Sequence, residues 1–265
     1  MDVLSDTLRV VRLAGALFFN AKISGPWSSQ FPTSDEYARL LHSQADYITL
    51  FHVMVSGQCW VTVDGHSSFQ LAAGDVVIFP HAGAHYMSSH LNPLPEVDVT
   101  PQLLNFIQSA SPDEGILRID LGRGDEMAHF VCGYLECDQR FNPLLGSLPP
   151  VLLVRTDQPA GSELVEVAGP LPLWCIVQAE TGDWLDNTLR YTIEEAEGER
   201  PASSAMLPRL IELLFVEVLR RYMQQLPAEY TSWLAAVRDP VVGCALRLMH
   251  THPDQRWTVE ELARA

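Results

Sequence analysis

The pattern of apolar and polar positions divides the chain into a β-rich part and a helical part. The continuous apolar run Tyr47–Val55 and the alternating segment Gln58–Val63 are typical of strands. A further short apolar run follows at Val76–Phe79, and turn signals stand at Asp64-Gly65 and Gly74-Asp75. This pattern predicts a meander of antiparallel strands.

A second β-rich stretch follows a longer polar connection predicted over residues 93–112. Ala128–Cys137 is a strand pattern that comes after an acidic, Gly-rich loop at residues 122–126. Residues 142–154 are predicted as a loop, a short helical turn and another apolar segment. Short strands separated by turn residues favour a fold that is mainly β with α, an antiparallel β-barrel or sandwich followed by a C-terminal helical segment.

The helical part begins near Ser203, where Ser203 and Ser204 can cap a helix that ends before Pro227. Its apolar face is wider than a surface helix needs. Two explanations stay open: the helix is packed between the barrel and a second helix around Trp233, or part of its face is a dimer interface. The candidate dimerisation residues are Leu207, Leu210, Ile211, Leu214 and Leu219.

Two short helices are predicted at the C-terminus. Asp239 followed by Pro240 is a helix start, and Thr258 with Glu261 forms a capping box that begins another helix. Two such helices cannot bury their own apolar faces, so we expect them to be the first piece of a larger unit. An ordinary C-terminal helical hairpin is the alternative.

Composition limits the classes of function. The 265 residues suffice for one large or two small domains, and a formal net charge of −16 repels phosphate, so these residues should bind DNA poorly by themselves. Five cysteines in a chain of this length suggest a reducing compartment. The N-terminal acids and the lack of a long apolar run predict a cytoplasmic protein without membrane spans.

The segment from Phe51 to Ser89 resembles a cupin, a small β-barrel with a His in its first strand pair and a G-D-x-x-x-x-P…H pattern in its second. His52 matches the first position, and Gly74-Asp75, Pro80 and His85 match the second. Metal-dependent cupin enzymes carry another His two residues after the first, where this chain has Met54. The resemblance therefore implies binding over catalysis, and a metal-dependent dioxygenase or isomerase is the alternative.

The flanking motifs extend this resemblance. Leu13–Trp27, the P-H-A-G-A-H turn at Pro80–His85, Cys132–Asp138 and Phe141–Val154 together resemble the N-terminal sensor domain of a cupin-containing subgroup of AraC-type transcription regulators. The W-T-V-E-E-L-A segment that begins at Trp257 resembles the start of their helix-turn-helix domain.

The resemblance implies a division into three parts and a non-enzymatic function. Residues 1–200 would be a cupin-like ligand-sensing domain, residues 201–238 a helical linker and dimerisation segment, and residues 239–265 the start of an incomplete helix-turn-helix domain. The expected protein is a homodimeric transcription regulator. It would respond to an unidentified small-molecule effector and contact DNA only through the missing part of its C-terminal domain.

Four residues are candidate ligands of a structural zinc ion: His81, His85, Cys132 and Cys137. Two imidazoles and two thiolates suit tetrahedral Zn²⁺, and similar P-H-G-x-x-H and C-G-[YF]-x-x-C motifs occur together in the resembling regulators. The two cysteines would face opposite ways on a regular strand, so a bulge at Gly133 is expected. The alternative is a surface His pair and two buried thiols.

Candidate ligand-binding residues lie in the cupin-like segment. His52 stands at the position of the first cupin His, and Trp60, Phe79 and Tyr86 are aromatic side chains that could line a cavity. Aromatic residues in a small barrel serve more often as packing, so a barrel that binds nothing and only dimerises is a third possibility.

Overall fold

The fold is mainly β with α, as the sequence predicts. A computed structural model describes residues 4–5, 13–14, 18–41, 45, 47–63, 68–92, 97–109, 116–137, 144–156, 174–179, 183–198, 200–226 and 231–264. The strands are β1 (Leu13–Ala14), β2 (Phe18–Ser24), β3 (Ser28–Phe31), β4 (Tyr47–Ser56), β5 (Gln58–Val63), β6 (Phe69–Ala72), β7 (Val76–Phe79), β8 (His85–Ser88), β9 (Ile116–Gly122), β10 (Met127–Cys137), β11 (Val151–Thr156) and β12 (Trp174–Ala179).

The strands form two sheets that face each other. The larger sheet has the order β12-β11-β7-β4-β10-β2-β9, with β1 also paired to β10. The four-stranded sheet has the order β3-β8-β5-β6. Most pairs are antiparallel, whereas β2 with β9 and β11 with β12 are parallel.

Helices surround the sheets. They are α1 (Ser34–Leu40), α2 (Thr100–Ser109), α3 (Trp184–Glu197), α4 (Ser203–Gln225), α5 (Trp233–Arg238), α6 (Pro240–Thr251) and α7 (Val259–Arg264), with a short 3₁₀ turn at Leu145–Ser147. The long helix predicted from Ser203 is confirmed as α4. None of the helices among the described residues combines the length and the apolarity that crossing a bilayer requires.

The larger sheet separates two hydrophobic cores. One core lies between the two sheets, and the other lies between the larger sheet and helices α3, α4 and α5. Side chains alternate along β4, so Leu50 and Met54 enter the first core while Phe51 and Val53 enter the second. One strand therefore contacts both the barrel interior and the helices.

Two predicted connections contain helix instead. Residues 93–112 include α2, whose Leu103 and Ile107 are buried one turn apart. The charged stretch from Glu194 to Arg200, which predicts an exposed linker, includes the end of α3, where Glu195 and Ala196 are buried. Apolar positions at helical spacing lie within the first stretch, whereas Ala196 is the single apolar residue of the second. Burial in both stretches depends on the neighbouring sheet. The turn predicted at Asp64-Gly65 lies outside the described residues.

The C-terminal helices begin as predicted. The Asp239 carboxylate accepts hydrogen bonds from the backbone N–H groups of Val241 and Val242, both at 2.8 Å. At α7 the Glu261 carboxylate accepts from the Thr258 N–H at 2.9 Å, and the Thr258 hydroxyl accepts from the Glu261 N–H at 3.2 Å. Neither α6 nor α7 has a buried residue.

Candidate functional site

The barrel interior contains a cavity of about 50 Å³ with an almost entirely apolar lining. Successive inward positions on two neighbouring strands supply much of its wall, because alternate residues of a strand face the same side. These positions are Phe19, Ala21 and Ile23 on β2, and Phe130, Cys132 and Tyr134 on β10.

Two helices and the edge of the smaller sheet complete the enclosure. Tyr37 comes from α1, and Leu103 and Ile107 come from α2, where a spacing of four residues places both side chains on one helix face. Phe31 at the end of β3 and Met87 on β8 face the cavity from the smaller sheet. The cavity is therefore walled by strands on most sides and by helices on one.

One end of the cavity is polar. His52 Nδ1 lies 2.9 Å from the Cys132 sulfur, and His52 Nε2 lies 3.2 Å from His85 Nε2. His85 Nδ1 lies 2.8 Å from the backbone oxygen of Gly83. A buried line of hydrogen-bonding groups thus runs from the cavity wall into the smaller sheet.

The positions of the protons in these hydrogen bonds can be assigned by starting from the bond between His85 and Gly83. The Gly83 carbonyl can only accept, so His85 Nδ1 carries a proton and His85 Nε2 is an acceptor. His52 then donates from Nε2 to His85 and accepts at Nδ1 from the Cys132 thiol. All three side chains are satisfied in their uncharged forms.

Burial keeps the three groups uncharged. It lowers the pKa of His52, which His85 lowers further, and it lowers the pKa of His85 to about 4 against a small opposing effect of the bond to Gly83. Burial also raises the pKa of the Cys132 thiol. The polar end of the cavity is therefore neutral at physiological pH.

Local structure fixes these side chains. Cys132 lies directly opposite His52 in the register of β10 and β4. The His85 ring is stacked between two aromatic rings, that of Phe79 at 3.7 Å and that of Phe31 at 4.8 Å between centroids. Because His85 belongs to the smaller sheet, the His52–His85 bond joins the two sheets.

Of the four residues predicted to bind a ligand, His52 lines the cavity. Phe79 is fully buried against His85, and Trp60 is half-buried in a different, more polar cleft. Tyr86 is 37% exposed on the outer face of β8. The sequence did not suggest the other lining residues, among them those on β2 and the two helices. In the sequence, the alternation of Phe19, Ala21 and Ile23 was the signal that could have identified one face of β2 as part of the lining.

Of the four predicted zinc ligands, the three whose side chains are described, His81, His85 and Cys132, do not form one group that could hold a metal ion. His81 Nε2 lies 3.2 Å from the backbone oxygen of Leu148. The side chain of Cys137 lies outside the described residues. In the part of the chain that is described, no group of three or more His, Cys, Asp or Glu side chains is arranged to hold a metal ion.

The spacing on β10 opposes a shared site for the two cysteines. The register with β4 is regular from Phe130 to Cys137, and its single shift lies between His129 and Phe130. The bulge expected at Gly133 is therefore absent there. Five residues of regular strand separate Cα atoms by roughly 17 Å, much more than two zinc-bound thiolates allow.

Most predicted dimerisation residues face the core of their own chain. Leu207, Ile211, Leu214 and Leu219 are buried against the larger sheet and α3, because α4 turns its widest apolar face inward. Leu210 is only half-buried. A dimer contact on α4 would have to use the outward face, where exposed apolar side chains are Met206 and Leu213.

A second apolar cavity, of about 30 Å³, lies on the opposite side of β4. Its strand wall includes Thr49, Phe51 and Val53, and its helix wall includes Leu185 of α3 and Ile211 of α4. The two cavities therefore share one strand as a wall.

The chain is similar to known proteins along its whole length. The family model described as Cupin matches residues 2–169 and 166–224. A Streptomyces antibioticus protein named as an AraC-like transcription regulator is 27% identical over 266 residues, 100% of this chain and 74% of that protein. The HTH-type transcriptional regulator AlkR of Acinetobacter baylyi is 23% identical over 264 residues, 99% of this chain and 74% of its own. ToxT from Vibrio cholerae aligns with 94% of this chain and 68% of its own, with 10% identity and a TM-score of 0.37.

Proposed function

The chain belongs to the cupin family, and from this premise we propose that it is the ligand-sensing part of an AraC-type transcription regulator. Its similarity to AraC-like regulators extends over the whole chain. In the proposed function the barrel binds a small molecule, the helices transmit the change, and the C-terminal helices belong to the DNA-reading end of a cytoplasmic protein.

The observation that carries this proposal is the position of β4 between two cavities. Leu50 and His52 face the barrel cavity, whereas Phe51 and Val53 face the helices. A ligand that displaces the inward side chains moves the same backbone that supports α3 and α4. Tightly packed interiors transmit such displacements because they have little free volume to absorb them.

The ligand must distinguish two arrangements of these helices. A bound molecule shifts a conformational equilibrium only by as much as its affinity differs between the two states. We propose that the arrangement described above is one state and that the ligand-bound state differs in the position of α4 relative to β4. The change would then reach α5 and α6, which follow α4 in the chain.

The DNA-reading end is proposed to begin at α6. Both α6 and α7 expose apolar side chains, including Val241 at 76% and Val259 at 83% exposure. Such faces are suited to packing within a larger helical unit. The net charge of −16 argues against DNA contact elsewhere on the chain.

A homodimer is part of the proposal, with the outward face of α4 as its interface. Met206 and Leu213 lie seven residues apart on one helix face, and Leu210 lies between them. The opposite face of the same helix, α4, borders the second cavity. Dimerisation would therefore be sensitive to the same movement of α4.

The structural zinc ion stays a prediction from the sequence. It is supported by the donor chemistry of His85 and Cys132, which both contact His52. The position of Cys137 on regular strand opposes it.

Elemental analysis of the purified chain and of its Cys132→Ala and Cys137→Ala variants tests the zinc prediction directly. Loss of stoichiometric zinc in both variants would support four ligands. A zinc-free wild type, or zinc retained in Cys137→Ala, would refute them.

We favour sensing over catalysis because of the residue at the second cupin position. Met54, which replaces the His of the metal-dependent enzymes, is fully buried in the core between the sheets. A thioether there supplies neither a general base nor a ligand for a hard metal ion.

Chromatin immunoprecipitation in the host tests the proposed function. An epitope-tagged copy of the gene product should be enriched at a small number of promoters, and deleting the gene should change the corresponding transcripts. Restoration by the wild-type gene is the control. An absence of promoter enrichment, together with unchanged transcripts, would contradict the proposal and favour the enzyme.

A further inference from the structure

We propose that the barrel cavity binds a small uncharged molecule that is apolar except for one hydrogen-bonding group, which it places at Cys132. This inference rests on the proposed sensing function and specifies the chemical class of the molecule sensed. It follows from the lining, the polar end and the size of the cavity.

The lining excludes ionic ligands. Among the described residues, no Asp, Glu, Lys or Arg side chain lines the cavity, whose walls are formed by groups such as Phe19, Ile23 and Phe130. A carboxylate or ammonium group that left water for this site would lose its hydration without gaining a counter-charge. That transfer costs far more than burial of a neutral group.

The polar end of the cavity offers one free hydrogen-bond acceptor, the sulfur atom of Cys132. Both ring nitrogens of His52 and both ring nitrogens of His85 have hydrogen-bonding partners. The Cys132 sulfur donates its proton to His52 and keeps its lone pairs, and Cys132 lines the cavity. A ligand hydroxyl can donate to this sulfur without breaking the existing line of bonds.

The size of the cavity couples binding to movement. An apolar cavity of about 150 Å³ accommodates benzene, whereas this cavity measures about 50 Å³. A ligand of even one ring must therefore displace part of the lining. The lining that must move includes Leu50 of β4 together with the helix side chains Tyr37, Leu103 and Ile107. A ligand that only fits after this displacement favours one conformation over another, as a sensor requires.

Four small molecules that share one aromatic ring separate the effects of an apolar body, a hydroxyl group, a negative charge and a positive charge. Toluene is apolar, benzyl alcohol adds one hydroxyl group, benzoate is an anion and benzylamine is a cation at neutral pH. We expect toluene and benzyl alcohol, at millimolar concentration, to raise the thermal unfolding midpoint of the purified chain and to show saturation transfer by NMR. Benzoate and benzylamine should do neither.

Two cysteine variants test the position of the polar group. Cys132→Ala should weaken the binding of benzyl alcohol by about 3- to 10-fold, which corresponds to one hydrogen bond, and should leave toluene binding unchanged. Cys59→Ala is the matched control, because Cys59 is also buried between the sheets but does not line the cavity. It should change neither affinity.

Three results would overturn the inference. They are binding of benzoate as strong as that of benzyl alcohol, no binding of either neutral probe, and equal loss of both neutral probes in Cys132→Ala. None of these results would affect the promoter enrichment that tests the regulatory function, so the two proposals can fail separately.

Discussion

Two buried histidines, His52 and His85, and the partly buried Cys132 join the two sheets of the barrel through hydrogen bonds between neutral groups. Neutral imidazole is required at both ends of the His52–His85 contact, because one ring donates and the other accepts. Protonation of either ring removes an acceptor and places an unpaired charge in the core. The stability of the barrel should therefore depend on pH through these residues.

The first prediction concerns acid destabilisation. The pKa of His85 falls from 6.5 to about 4 in the fold because of burial, so the unfolded chain binds the extra proton first as pH falls. Its contribution to stability is complete above pH 6.5 and is lost towards pH 4, by about 2–3 kcal/mol. Denaturant unfolding across this range should show a smaller slope with pH in His85→Phe than in the exposed-site control His90→Gln. Equal slopes would contradict the assignment.

The second prediction concerns a buried ion pair beside the barrel. Arg155 Nη1 lies 3.5 Å from Asp75 Oδ2, and both side chains are nearly inaccessible. Asp75→Asn leaves the guanidinium buried without its counter-charge and should cost about 3–5 kcal/mol of unfolding free energy. The control is Glu260→Gln, which breaks an exposed pair with Arg264 and should have no measurable effect. Comparable losses in both variants would show that the Arg155 pair is not buried in solution.

The sequence supplied part of this site. His52, His85 and Cys132 were all candidates, through the cupin position and the motif resemblance. Their mutual bonding was not foreseen, because the pairing of Cys132 with His52 depends on the register of β10 with β4. Tyr37 was missed for a similar reason. Its helix is short and mostly polar, and only its contact with the sheets shows which residue is buried.

At the scale of elements, β4 and α4 connect the barrel to the helices. Strands with long apolar runs were predicted well, since β4, β5, β7 and β10 appear where the pattern places them. Helix α2 was missed because its apolar positions lie within a polar stretch. The wide apolar face of α4 is explained in part by packing against the larger sheet and α3, whereas a dimer contact stays a prediction. The sequence could not say which side was covered, since that depends on where α3 and the sheet lie.

The third prediction concerns the proposed dimer. Leu213 is 53% exposed on the outward face of α4, so Leu213→Glu should separate the dimer without unfolding the chain. Light scattering after size exclusion gives the mass of each form. Leu91→Glu is the matched control, since Leu91 is 46% exposed on another part of the surface, and it should stay dimeric. A monomeric wild type, or a dimeric Leu213→Glu, would contradict this interface.

At the scale of the whole molecule, acidic charge and a neutral apolar interior are separated. The net charge of −16 lies on a chain whose barrel cavity has no ionic lining among the described residues. Solubility and repulsion from phosphate come from the surface, whereas selectivity for a ligand comes from the interior. This separation is consistent with a sensor whose contact with DNA is confined to one end.

The fourth prediction follows from that charge. The 265-residue chain should bind random-sequence duplex DNA more weakly than about 10⁻⁵ M at physiological salt, because phosphate contacts dominate non-specific affinity. Fluorescence anisotropy with a labelled duplex measures this. Submicromolar binding under those conditions would contradict the prediction.

The central claim is that filling the barrel cavity changes the helices on the far side of β4. Hydrogen–deuterium exchange of the purified chain, with and without saturating benzyl alcohol, tests it most directly. We expect slower exchange in β4 and β10 together with altered exchange in α3 and α4. Protection confined to the barrel strands, with α3 and α4 unchanged, would contradict it.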